Sequence, residues 1–114
     1  MKGIRKRTVG TSGANTAQTV STPSGNPRRI LQVLIAYSAT PAYTGSDLTI
    51  KVNSGAGAAY DTVLEEGTTN KRYKAYVPTE PIYLNDDDVL DVIAPAGGGV
   101  ITSSISIYSE SIGY

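Results

Sequence analysis

The sequence predicts an all-β fold: an antiparallel β-sandwich, jelly-roll-like, with an extended N-terminal arm. Three observations lead there. Between residues 101 and 108, Ile101, Ser103, Ile105 and Ile107 fall on one face of an extended chain while Thr102, Ser104, Ser106 and Tyr108 fall on the other, which is the period of a half-buried strand. Turn chemistry recurs at short intervals: Asn85-Asp86-Asp87-Asp88 enters the apolar run 89–94 and Pro95-Ala96-Gly97-Gly98-Gly99 leaves it, and such residues bond their own backbone or accept positive φ. No amphipathic helix of normal length can be drawn, so six or seven short strands are expected.

In chain order, residues 1–27 are rich in Gly, Ser, Thr, Ala and Asn with early basic residues, a composition that buries too little to offset its ordering entropy. They read as an arm, about 27 residues that could span some 90 Å when extended, followed by a sandwich domain over 28–114. Residues 28–38, RRILQVLIAYS, form the most apolar segment. A nearly continuous apolar run predicts a strand buried on both faces, one against its own sandwich and the other against the arm or a second subunit; a buried helix is the competing reading. Asn26-Pro27 and Ala39-Thr40-Pro41 confine the run to strand length. In residues 47–53, Leu48, Ile50 and Val52 alternate with Thr49 and Lys51, predicting an inward and an outward face. The loop 54–59 is Gly- and Ala-rich but lacks the Lys and the strand-to-helix context of a phosphate cradle.

Residues 60–77 predict a hairpin about Gly67-Thr68-Thr69-Asn70, pairing Glu66 with Lys71, Glu65 with Arg72 and Leu64 with Tyr73. Pro78 and Pro81 bracket a corner, because proline cannot donate to a central ladder. Residues 82–84 then resume a short strand. Burying each Ile, Val or Leu of the last two runs is worth roughly 1.5–3 kcal/mol, so those strands need a partner sheet.

Composition excludes several kinds of chemistry. The 114 residues contain neither Cys nor His, which removes disulfides, thiolates, the commonest zinc ligands and the usual general base near neutral pH. No apolar run approaches the ~20 residues that cross a bilayer, and the basic start is not followed by an apolar stretch, so neither a signal peptide nor a membrane association is expected. The formal net charge is zero, but Lys2, Arg5, Lys6, Arg7, Arg28 and Arg29 precede the first acid, Asp47, while the rest of the chain sets ten acids against four basic residues. The molecule thus has two electrostatic ends and could dock head to tail.

Candidate sites are few. Asp86, Asp87 and Asp88, with Asp91, form an acidic cluster that could hold Ca²⁺, yet consecutive residues do not give an EF-hand spacing and read as a turn. The eight Tyr residues are the only aromatics; they could line a sugar-binding face or an interface, although alternation on strands makes most of them core-edge residues. Ser103, Ser104, Ser106, Ser109 and Ser111 lack a His partner, so no nucleophile is supported and no enzyme is expected. Nucleic acid is disfavoured too, because no aromatic residue interleaves the early basic ones. Neither metal nor cofactor is expected.

The layout of a Gly/Ser/Thr/Ala arm, a compact β-sandwich and a final pair of strands, PIYLNDDDVLDVIAPAGGG and VITSSISIY, resembles small virion proteins of tailed bacteriophages. It is similar in particular to capsid decoration, or cement, proteins, many of which are jelly-roll-like trimers. That resemblance implies a structural protein on the outside of the capsid, bridging and stabilising neighbouring copies of the major capsid protein. A homotrimer is then expected through the 28–38 region, with Ile30, Leu31, Val33, Leu34, Ile35 and Tyr37 as interface candidates. Lys2, Arg5, Lys6 and Arg7 would carry the arm onto acidic patches of the shell. A tail, neck or fibre-attachment subunit and a carbohydrate-binding sandwich module are the alternatives.

Overall fold

Backbone pairing is antiparallel throughout the computed structural model, which describes residues 5–22, 27–42, 48–57, 59, 61–67, 72–85 and 87–112. Among the described residues nine strands occur in order: β1 (Arg5–Thr11), β2 (Gln18–Ser21), β3 (Arg28–Tyr37), β4 (Leu48–Asn53), β5 (Thr62–Gly67), β6 (Tyr73–Tyr76), β7 (Ile82–Leu84), β8 (Val89–Ala94) and β9 (Ser103–Ser111). One sheet has the order β1-β9-β3-β6, with β7 also paired to β3, and the other has the order β2-β8-β4-β5. The pairings are nested: β1 with β9, β2 with β8, β3 with β7, and β4 with β5. A chain so paired is one long folded-over ribbon wrapped across two facing sheets.

The core is the set of side chains that period two turns inward. Val33, Ile50, Leu90, Val92, Ala94, Ile105 and Ile107 have no exposed surface at all. On β8 the inward set is Leu90, Val92 and Ala94, and on β9 it is Ser103, Ile105, Ile107 and Ser109. The expected alternation of 47–53 is borne out, since Leu48 and Ile50 are buried and Val52 packs against the core.

The apolar run of β3 owes its appearance to a bulge. Pairing with β9 slips between Ile30 and Gln32, leaving Leu31 without an opposite number. An extra residue in one strand inverts the facing of every residue after it, so Arg28 and Ile30 point inward before the bulge and Val33, Ile35 and Tyr37 after it. The run therefore has one buried face and one half-buried face, Leu31, Gln32, Leu34 and Ala36 being intermediate. Tyr37 anchors the inner face by donating its hydroxyl to the Pro95 carbonyl at 2.7 Å.

Two expectations are corrected. The segment read as an arm supplies two strands: β1 pairs with β9 over seven residue pairs, and β2 with β8 over four. These edge strands need few inward side chains, because ladder bonds to apolar neighbours hold them; Val20 is the one large core residue they contribute. Their turn is pinned as well, with the Asn15 amide donating to the Ile101 carbonyl and the Gly98 amide to Asn15 Oδ1, both at 2.9 Å. Residues 1–4 and 23–26 of the expected arm lie outside the described residues.

The hairpin expected across 60–77 does not form, since β5 pairs with β4 in one sheet and β6 with β3 in the other. Cross-strand charge pairs contribute roughly 0.2–1 kcal/mol each. That is less than either strand gains by capping the edge of an apolar sheet, where Leu64 and Tyr76 pack against the core. The turn residues 68–71 lie outside the described set.

Candidate functional site

The outer face of the β1-β9-β3-β6 sheet is the most distinctive surface, and register alone lays it out in rows. Thr11, Ser104, Ala36 and Tyr73 form one row; Val9, Ser106, Leu34 and Ala75 the next; Arg7, Tyr108 and Gln32 the third; and Glu110, Arg29 and Tyr83 the last. On the two middle strands Ser104, Ser106 and Ala36 keep one end of the face low, while Leu34, Gln32 and Tyr108 fill it toward the other. Arg7 donates from Nη2 to Ser106 Oγ at 3.1 Å and lies 5.6 Å over the Tyr108 ring. Arg72 lies 5.1 Å over the Tyr73 ring while its Nε donates to the Tyr37 carbonyl at 3.2 Å. Arg29 and Glu110 form an ion pair. Each arginine is thus held by a ring, a hydroxyl or a carboxylate, which pre-orients its guanidinium.

At one end of this face a groove of about 320 Å³ runs between Thr11, Ser12, Ala36, Ser38, Tyr73 and the 102–104 segment. Two of its serines are already engaged: Ser103 Oγ meets Ser12 Oγ at 2.8 Å and accepts from Gln18 Nε2 at 2.7 Å. They tie the β1–β2 turn to β9. The face as a whole can hold a polar, shallow partner surface, with Tyr73, Tyr83 and Val9 exposed on it.

At the opposite end, the acidic cluster is committed to the backbone. Asp88 accepts from the Gly55 amide through Oδ1 at 2.9 Å and from the Asn85 amide through Oδ2 at 3.1 Å. These two bonds hold its carboxyl below its ordinary value, the Gly55 bond contributing most. Asp91, on β8, instead accepts from Ser21 and Asn53. Asp87 and Asp88 with Ser54, Gly55, Ala56 and Asn85 enclose a wide recess of about 570 Å³, and among the described residues no cluster of three acids is placed to share a metal ion. The turn reading of Asp87 and Asp88 thus has a direct geometric basis; Asp86 lies outside the described residues.

The residues singled out from the sequence are dispersed. Lys2 lies outside the described residues, whereas Arg5, Lys6 and Arg7 form the first half of β1. Of the interface candidates, Ile30, Val33, Ile35 and Tyr37 are at most 3% exposed inside their own sandwich. They are core, because the bulge turns them all to one side. Only Leu31 and Leu34 remain on the outside, half-buried. Tyr73 and Tyr83, two of the eight tyrosines weighed for an interface, lie on this face, and Arg29 joins it unforeseen; the signal available was the small-residue alternation Ser104, Ser106 on β9, whose partners only register reveals.

No family model matches the chain, and no curated protein resembles it in sequence. Among solved structures, a chain of similar length superposes over nearly all of it. The fold is shared with a phage capsid chain. It belongs to the acid-stable capsid structure of Helicobacter pylori bacteriophage KHP30, with a TM-score of 0.53 and 11% identity over 96% of this chain and 90% of that one. At that identity the likeness establishes the β-sandwich fold.

Proposed function

We propose that this chain is a structural protein of a bacteriophage virion that decorates the capsid: a cement protein seated on the outside of the shell, bridging major capsid subunits. The observation that carries the reading is the end-to-end superposition on a chain of a phage capsid, each chain covered by nine-tenths or more, so that the whole sandwich is the matching unit. A jelly-roll-like wrap fits the nested pairing of its strands. A cement protein needs no chemistry. Its binding adds free energy to the assembled shell by mass action, and a stiff face delivers that best.

The outer face bearing Arg7, Leu34, Tyr73, Tyr83 and Tyr108 is the docking surface in this reading, and the protein acts as a homotrimer. The test is addition of purified protein to capsids lacking it, followed by co-sedimentation and a thermal challenge of the shells. Saturable binding that raises the shell's disruption temperature is the expected result, with Leu34→Asp abolishing both. Failure of the folded wild-type protein to bind such capsids overturns the reading; saturable binding to a glycan array instead would favour the carbohydrate module.

A further inference from the structure

The two sheets leave four edges, and these are not equivalent. The β2 edge is four residues long. The β6/β7 edge is two short pieces separated by Pro78 and Pro81. Brevity and proline are how sheets blunt their edges. The β1 and β5 edges are longer, seven and six residues, with no proline. Each is terminal in its sheet, and among the described residues neither has a hydrogen-bonded strand on its outer side.

Their sequences are complementary in charge. β1 reads RKRTVGT, basic at its N-terminal end, and β5 reads TVLEEG, acidic at its C-terminal end. Each also carries one exposed valine, Val9 at 50% and Val63 at 55%. In an antiparallel pair the N-terminal end of one strand meets the C-terminal end of the other. Setting Val9 opposite Val63 therefore brings Lys6 and Arg7 alongside Glu65 and Glu66. An antiparallel pair of two β1 strands, or of two β5 strands, instead sets each charged end against an uncharged one and gains no opposite-charge pair.

We infer that β1 of one copy adds to β5 of the next, joining the β1-β9-β3-β6 sheet of one subunit to the β2-β8-β4-β5 sheet of its neighbour. The occupant of each free edge is a second copy of this chain. Because the two surfaces differ, the contact is heterologous, and it closes into a ring when the rotation between copies allows. The proposed homotrimer is such a ring. The inference rests on the self-association in that reading but not on capsid binding, and the two can fail separately.

The test uses the full chain in sedimentation velocity at about 50 and about 500 mM salt, which spans strong and weak screening. Wild-type protein is expected to form a closed oligomer that loosens at the higher salt. Lys6→Glu, and separately Glu66→Lys, should each weaken association by roughly fivefold or more. The two substitutions in one chain restore opposite charges and should bring the affinity back to within about twofold of wild type. Circular dichroism melting verifies folding, and Lys6→Gln or Glu66→Gln replaces either variant that fails to fold. A monomeric wild type at ~100 μM in low salt, charge variants that associate unchanged, or a folded double variant as weak as either single one overturns the inference. Capsid co-sedimentation of the same samples reports on the proposed function independently.

Discussion

Substituting Gly10 tests whether the N-terminal segment is part of the sandwich. Gly10 lies on β1 opposite Ile105 and faces β2; a Cβ there would come within 2.3 Å of Val20 Cγ2 and 3.1 Å of Gln18 Oε1. Val20 is itself 8% exposed and paired with Val92, so it has little room to retreat. Overpacking of this kind costs typically 1–3 kcal/mol, offset by roughly 0.4–1 kcal/mol from the less flexible unfolded chain. Gly10→Ala should therefore destabilise by about 1–2 kcal/mol, lowering the melting temperature by about 5–10 °C in a domain near this size. Val20→Ala alone costs a similar ~1–2 kcal/mol through lost methyl burial. The double variant should be less destabilised than the two added together, with a coupling near ~1 kcal/mol, because the removed methyls vacate the place the new one needs. Urea denaturation followed by circular dichroism reads all four proteins. If residues 5–22 were a solvated arm, all three variants would melt like wild type, and that outcome refutes the packing of β1 on β2.

The same geometry sets four further outcomes. Asp88 titrates lower in the folded chain than its ordinary 3.8 because the Gly55 and Asn85 amides favour its carboxylate; its contribution is complete above pH 3.8 and lost as the pH falls through the lower folded value. Asp88→Asn should then flatten the pH dependence of the urea midpoint within that acid window, leaving the slope at higher pH unchanged. Tyr37→Phe leaves the Pro95 carbonyl without the hydroxyl it accepts from and should cost about 1–2 kcal/mol in the same assay. Ile105→Ala, at a position with no exposed surface, should cost about 2–5 kcal/mol. Leu34→Ser, on the half-buried outer face, should change stability by no more than about 1 kcal/mol while reducing attachment to capsids.

The strands legible in the sequence are those whose side chains do the folding. Ile105 and Ile107 on β9, Leu48 and Ile50 on β4, and the run 89–94 announce themselves by period or apolarity, and each sits where that pattern puts it. The strands that escaped are those the backbone holds. Between them, β1 and β2 place a single large residue in the core, so a count of buried side chains reads them as solvated, while eleven cross-strand pairs go uncounted. The bulge at Leu31 was hidden for a related reason: an unbroken apolar run fits either two buried faces or one face that switches sides, and only the slip between Ile30 and Gln32 decides. The candidate face was least legible of all, because its rows join residues as distant in sequence as Thr11, Ser104, Ala36 and Tyr73.

Incorporating the N-terminal segment changes how the proposed attachment to a shell would work. A loose basic strap would gain affinity only after losing its freedom at the moment of attachment, at about 0.5–1.5 kcal/mol for each side chain immobilised. Here that loss is met in folding. Arg7 is already seated on Tyr108 and Ser106, and the β1–β2 turn is fastened by Asn15 to the segment between β8 and β9. The N-terminal residues therefore bind across both sheets and stiffen the face they help to form. In the proposed role such a chain would hold by the fit of a rigid surface, so substitutions that loosen β1 should weaken attachment to capsids even where they leave every residue of the proposed docking face in place.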